Sequence, residues 1–153
     1  MTLKIDLHVH TYYSYDAVIT LKEVVTYSKK RGLDGVAITD HDTLTGALKL
    51  VRKTNIAVIP GMEITALGGH VLALNLTKPI PSKLDLSETV QRIHEAGGIA
   101  VAAHPTPFRK STQSQWPASF DAVEVINSAT VPFSLSTYLS RRLATRLNLP
   151  QTA

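Results

Sequence analysis

The sequence predicts one α/β domain built on a barrel-like, mostly parallel sheet, and three observations carry that expectation. Strand-like runs alternate with helix-like runs along nearly the whole chain, which is the pattern of βα units. The opening run LKIDLHVH puts Leu3, Ile5, Leu7 and Val9 on one face by strict alternation, and Lys4, Asp6, His8 and His10 on the other. A central strand of an open doubly wound sheet is apolar on both faces, whereas one polar face suits a barrel with a site near its rim. Finally, 153 residues, 44% hydrophobic and 18% charged, are enough for a single buried core and too apolar for a disordered chain.

Strands are expected at 3–9, 35–39, 56–60, 70–76, 99–103 and 122–126. The first helix is the best marked: Thr20 can cap it, Glu23 completes a capping box, and Gly32 stops it. Leu21, Val24, Val25 and Ser28 share its inner face. A second helix is expected over 43–53 with Leu44, Ala47, Leu48 and Val51 inward. A third runs from Ser87 to the Gly97-Gly98 pair, and a fourth over 134–148 turns Leu135, Leu139, Leu143 and Leu147 inward. Gly68-Gly69 is a turn pair. The segment 77–82 is a stiff connector, and for the polar loop 108–117 a site cover and a plain surface loop both stay open.

Composition excludes several classes. With no Cys the chain has neither disulfides nor thiolate metal sites, which fits a reducing compartment, and a cytoplasmic location is expected. No apolar run approaches the roughly 20 residues that span a bilayer, and the alternating first residues do not resemble a signal peptide. The net charge of +4 is carried largely by bases in the expected helices, which suit solvated helix ends better than a nucleic-acid groove.

Five of the six histidines fall at or near strand ends: His8, His10, His41, His70 and His104. His8 and His10 are about 6–7 Å apart along one strand face, so two imidazoles can lean onto one metal ion. Asp16 follows in the next loop. Asp40, His41 and Asp42 cluster at a strand end, with Asp42 expected to cap the following helix and His41 to ligate. Glu63, between Met62 and Ile64, is expected to be semi-buried and to need a cationic partner. His104 is favoured as a ligand; for His70 ligation and a structural role stay open. Glu124 and Asn127 are placed at the rim, with Glu124 as a group that orients a ligand histidine. A donor set of His, Asp and Glu without Cys suits Zn, Mn or Fe, and several such ligands together suggest a multinuclear hydrolytic site. No nucleophile elbow, P-loop or dinucleotide fingerprint is present in the sequence.

The segments DLHVHTYYSYDA, GVAITDHDT, PGMEI and GIAVAAHP, in this order, resemble the polymerase and histidinol phosphatase (PHP) family across essentially the whole chain. The resemblance implies a distorted (βα)7 barrel and two to three divalent metals, usually Zn, Mn or Fe. It implies that His8 and His10 serve a first metal, Glu63 bridges, His104 serves a second, and Asp16 and His41 serve a third. His70 occupies a position that is only sometimes a ligand. Glu63 and His104 are accordingly the expected catalytic residues, and Arg109 is a candidate for substrate phosphate, with a solvated loop base as its alternative.

Family members end their site with an Asp-x-His motif on the last strand, and no such motif follows Leu149 here. The expectation is therefore a single PHP domain over 1–153, lacking its last strand and final metal motif. The expected function is hydrolysis of a small phosphomonoester or nucleotide by a metal-bridged hydroxide. An exonuclease acting on oligonucleotides is the alternative, and a catalytically silent metal-binding module is the third reading.

Overall fold

The computed structural model describes residues 2–51, 53–105 and 119–153. Its elements in chain order are β1 (Ile5–Val9), α1 (Leu21–Lys30), β2 (Gly35–Ile38), α2 (Thr45–Leu50), β3 (Ala57–Ala66), β4 (Gly69–Leu74), α3 (Leu86–Glu95), β5 (Ile99–Ala102), β6 (Ala122–Glu124), α4 (Phe133–Leu147) and β7 (Gln151–Thr152). The strands lie side by side in chain order in one sheet. β1, β2 and β3 run parallel, as do β5, β6 and β7, while β4 opposes both of its neighbours. Among the described residues β7 does not pair with β1. The sheet is thus a curled half-barrel, the incomplete α/β barrel that the sequence predicts. A short β7, where no last strand was expected, pairs with β6, Gln151 and Thr152 lying opposite Val123 and Glu124.

Two apolar groups line the two faces of the sheet. The larger lies under the helices and includes Val36, Ile38, Val71, Ala73, Ala100, Ala102 and Val123, with Val24, Val90, Ile93 and Ala144 from the helices. The smaller fills the concave face with Ala37, Leu72, Leu74, Val101, Ala103 and Ala122, joined by Leu7 and Ile59. Successive residues of a strand alternate between these groups, as the pleat requires.

Local chemistry explains the elements. Thr20 caps α1, its hydroxyl accepting from Glu23 N while the Glu23 carboxylate accepts from Thr20 N. Asp85 caps α3 through Glu88 N. Asn148, in the left-handed conformation, closes α4. β3 and β4 form a hairpin whose turn uses Gly68 at φ +98°, a conformation glycine adopts without strain. Among the described residues no helix is long and apolar enough to cross a membrane.

Several expectations are corrected. β3 continues through Glu63 to Ala66 instead of stopping at Pro60. Gly61 permits this, because a Cβ there would sit 2.7 Å from the Ala73 carbonyl oxygen of β4. In α2, Leu48 is exposed and Leu50 is buried, because the helix is only one and a half turns long and ends before the expected period develops. In α4 the packed face is Ser136, Ser140, Leu143 and Ala144, three of them small residues, and Leu135 faces outward. Asp42 does not cap α2. Its backbone is left-handed at φ +53° and its carboxylate accepts from Thr65 N of β3. Arg109 and the loop 108–117 lie outside the described residues.

Candidate metal centre

The concave face is apolar towards one end and polar at the C-terminal ends of β1, β2, β5 and β6. Glu63 occupies the centre of that polar end. It pairs in register with Leu72 of β4, so its side chain enters the concave face beside the smaller apolar group, and it is 1% exposed. The end of β2 reaches it through a bridge between His41 and Glu63, and Asp42 N donates to Glu63 O at 3.0 Å. A carboxylate buried this deeply requires cationic or donor partners.

The histidines supply them. Glu63 Oε2 lies 2.8 Å from His10 Nε2, 3.0 Å from His8 Nε2 and 3.4 Å from His41 Nε2. Glu63 Oε1 lies 2.8 Å from His70 Nδ1 and 2.9 Å from His104 Nε2. Asp16 stands over the opposite edge, 3.0 Å from His10 Nδ1 and 3.4 Å from His41 Nε2. All seven residues singled out as candidate ligands therefore line one cavity of about 400 Å³, together with Tyr15, Asn127, Ser128 and Ala129.

Two backbone irregularities aim the histidines. Along β1 the pairing with β2 slips by one residue between Asp6 and Val9, which is a β-bulge. Leu7 packs in the concave apolar group, Val9 packs under the helices, and His8 and His10 both face the cavity. Strict alternation would have set Leu7 and His8 on opposite faces; the extra residue puts both inside. His104 follows β5 at φ +29°, a costly conformation for a residue with a Cβ. The turn brings its ring to Glu63 although its place in the alternation points outward.

A second ring of groups fixes the first. Glu124, 2% exposed, accepts from His8 Nδ1 at 2.8 Å, from the His104 backbone N–H at 2.7 Å and from Asn127 Nδ2 at 3.1 Å. Ser14 donates to Asp16 at 2.6 Å and accepts from His41 N at 3.2 Å. Asp40, fully buried, accepts from both the backbone and the hydroxyl of Thr11, tying the end of β1 to the end of β2. Ser14, Tyr15 and the Asp40–Thr11 pair are the members of this region that the sequence did not single out for these roles.

Charge follows from this packing. Burial lowers the tendency of His8 to protonate, but its hydrogen bonds to Glu124 and Glu63 outweigh that and raise its pKa from 6.5 to about 10. Burial likewise opposes protonation of His10, and the bond to Glu63 prevails, raising it. His41 is lowered, chiefly by burial. Burial would raise Glu63, yet the ring of imidazoles holds it well below the usual carboxylate range. Asp16 is lowered as well, its bonds from Ser14 and His10 overcoming desolvation.

The donor set fits divalent cations. Three triads each bring ligand atoms within 4.8 Å of one another: His8, His10 and Glu63; His10, Asp16 and His41; and His41, Glu63 and His70. His104 closes on Glu63 without joining such a triad among the described residues. The Nδ1 atoms of His41 and His70 are buried with no hydrogen-bond partner; that of His70 approaches Glu63 in a geometry that makes no hydrogen bond. Buried imidazole nitrogens left in this way are unusual unless something else satisfies them.

A family model described as the PHP domain matches residues 6–115. The chain belongs to the PHP-domain family. An uncharacterized protein of Methanocaldococcus jannaschii is 36% identical to this PHP domain over 141 residues, covering 82% of each chain. A 5'-3' exoribonuclease of Haemophilus influenzae is 31% identical over 108 residues, 66% of this chain and 39% of that protein. Among solved structures, a two-domain Bacteroides vulgatus protein containing a predicted PHP-like metal-dependent phosphoesterase superposes with a TM-score of 0.72 at 20% identity. That match covers 97% of this chain and 50% of the other, and it shows the shared fold.

Proposed function

We propose that this PHP domain is a metal-dependent phosphoesterase acting on a small phosphomonoester or nucleotide. Its metal site would hold two to three ions of Zn, Mn or Fe through His8, His10, Asp16, His41, Glu63, His70 and His104. The observation that carries the proposal is the convergence of five imidazoles on the buried carboxylate of Glu63 in one small-molecule-sized cavity. The chemistry such ions supply is activation of water near neutral pH and neutralisation of charge on phosphoryl oxygens.

The chain's own residues prepare for it. Glu124 accepts the Nδ1–H of His8 in a hydrogen bond, so in its neutral form His8 carries its lone pair on Nε2, the nitrogen that faces Glu63. Asp16 either does the same for His10 or ligates directly. The backbone bond from His104 to Glu124 holds that ring against Glu63. Asn127, Ser128 and Ala129 form the far wall, and Arg109, on its charge alone, is proposed to add a phosphate contact.

The likeness to the Haemophilus exoribonuclease favours a second reading, cleavage of short RNA at the same site, with rates that fall steeply as salt rises. The test is hydrolysis of a nucleoside monophosphate and a short RNA by Mn²⁺-loaded protein. His8→Ala and His41→Ala are each expected to abolish metal-stimulated turnover, and undiminished activity in both variants would overturn the proposal.

A further inference from the structure

Asp16 is the most exposed of the seven candidate ligands, its side chain 39% exposed against 1% for Glu63. A carboxylate on a loop at the rim would ordinarily sample several rotamers, and Ser14 removes that freedom. Its hydroxyl donates to Asp16 Oδ1 at 2.6 Å, and the same oxygen accepts from the His41 backbone N–H at 3.2 Å. A serine hydroxyl has a single hydrogen to give, and here it goes to a candidate ligand. With Oδ1 engaged in this way, Oδ2 is the oxygen that reaches both histidines, 3.0 Å from His10 Nδ1 and 3.4 Å from His41 Nε2. Ser14 is itself held in a closed circuit. Asp40 accepts from the backbone N–H and the hydroxyl of Thr11, Thr11 O accepts from Ser14 N at 2.8 Å, Ser14 Oγ accepts from His41 N, and His41 follows Asp40 in the chain. Asp40 and Thr11 are fully buried and Ser14 nearly so. The hydroxyl therefore meets Asp16 from a point tied to the ends of both β1 and β2.

We propose that Ser14 is a positioning residue that sets Asp16 as a ligand, so that the ion served by His10, Asp16 and His41 depends on this one hydroxyl while the ion served by His8, His10 and Glu63 does not. The two triads share His10 but owe their geometry to different supports. In the inner triad His8 is fixed by Glu124 and Glu63 by its place in β3, and neither support involves Ser14. In the rim triad Asp16 and the His41 backbone both bond to the Ser14 hydroxyl. Supporting groups that lock a ligand's rotamer set the affinity of the ion it holds. Filling of the rim position is thereby a separate event from assembly of the buried centre. This inference rests on the proposed metal site and makes no use of which ester that site hydrolyses.

The experiment is titration of the metal-free full chain with Mn²⁺, the free ion being read from its electron paramagnetic resonance signal. Wild-type protein is expected to take up more than one ion per chain. In Ser14→Ala one ion should bind about 10- to 100-fold more weakly, the range for losing a group that orients a ligand, while the remaining uptake keeps its wild-type affinity. Asp16→Asn should weaken the same ion. In the double variant the loss should fall short of the sum of the two single losses, because Ser14 acts through Asp16. Three results would overturn the proposal: Ser14→Ala that binds every ion as the wild type does, Ser14→Ala that weakens every ion alike, and losses from the two positions that add in full. The uniform loss would mean that Ser14 supports the fold and not one ligand. Wild-type protein that takes up a single ion would overturn it too, since no separate rim ion would exist. Wild-type protein that binds no Mn²⁺ would defeat the metal-site reading and this inference with it, whereas normal wild-type uptake without a selective loss in Ser14→Ala would defeat this inference alone.

Discussion

Glu124→Gln exchanges one oxygen for an amide nitrogen at nearly constant size, and the structure fixes what that exchange does. The carboxylate receives three donors: His8 Nδ1–H and Asn127 on one oxygen, and the His104 backbone N–H on the other. Glutamine has a single acceptor oxygen. If that oxygen keeps the His104 N–H, the amide NH₂ faces His8 Nδ1, which can only accept by moving its proton to Nε2. That nitrogen lies 3.0 Å from Glu63 Oε2 and would then be lost as a metal donor. If the oxygen instead keeps His8, the NH₂ confronts the His104 N–H donor to donor inside a buried site, costing about 1–3 kcal/mol. Mutation of such supporting partners lowers metal affinity by about 10- to 100-fold, equivalent to about 1.4–2.8 kcal/mol. Zinc competition against a chromogenic chelator reads the first effect, and urea unfolding of the metal-free protein reads the second. A variant with wild-type zinc affinity and an unchanged unfolding midpoint would refute the orienting role of Glu124.

Two further outcomes are expected. In the metal-free protein His8 is raised to about 10 from 6.5, so its contribution to stability is complete below 6.5 and is lost as pH rises through about 10. Metal binding requires the unprotonated imidazole, so stabilisation by added Mn²⁺, read as the shift in Tm, should grow from pH 6 to pH 8.5; a shift independent of pH would contradict this. Gly46→Ala would ordinarily favour a helix by about 1 kcal/mol, but here the new Cβ lands within contact of Asp40 Oδ2 and 3.0 Å from Thr11 Oγ1. Overpacking against a buried carboxylate should make the change destabilising by about 1–3 kcal/mol, and a gain in urea midpoint would show that Asp40 can move.

What the sequence disclosed and what it hid divide along the range of the interaction. The Thr20–Glu23 capping box spans three residues and was legible, as were the strand that leads to His41 and the turn at Gly68. The gathering of His8, His10, Asp16, His41, Glu63, His70 and His104 in one cavity was anticipated from residue type and position at strand ends. The bulge in β1 was not, because nothing in IDLHV marks an extra residue; it exists only in the pairing with β2. The continuation of β3 through Pro60 and Gly61 was equally hidden. Both residues ordinarily punctuate a strand, and only the close approach of β4 explains why glycine is needed there. Leu48 and Leu135 misled for a related reason: a helical period says which residues share a face but not whether the neighbouring surface reaches them.

The bulge separates the durability of this architecture from its chemistry. Deleting Leu7 would restore an ordinary ladder with β2 and keep His8 and His10 on the concave side, at the cost of one side chain of the concave apolar group. Deleting His8 would restore the same ladder and leave the helices, the hairpin and both apolar layers intact, but remove one of the imidazoles that meet Glu63. Such a His8 deletion could fold, express and pass every test of structural integrity while having lost part of its chemistry. For this scaffold, inheritance of the overall architecture and inheritance of the site are distinct events, divided by the length of one strand.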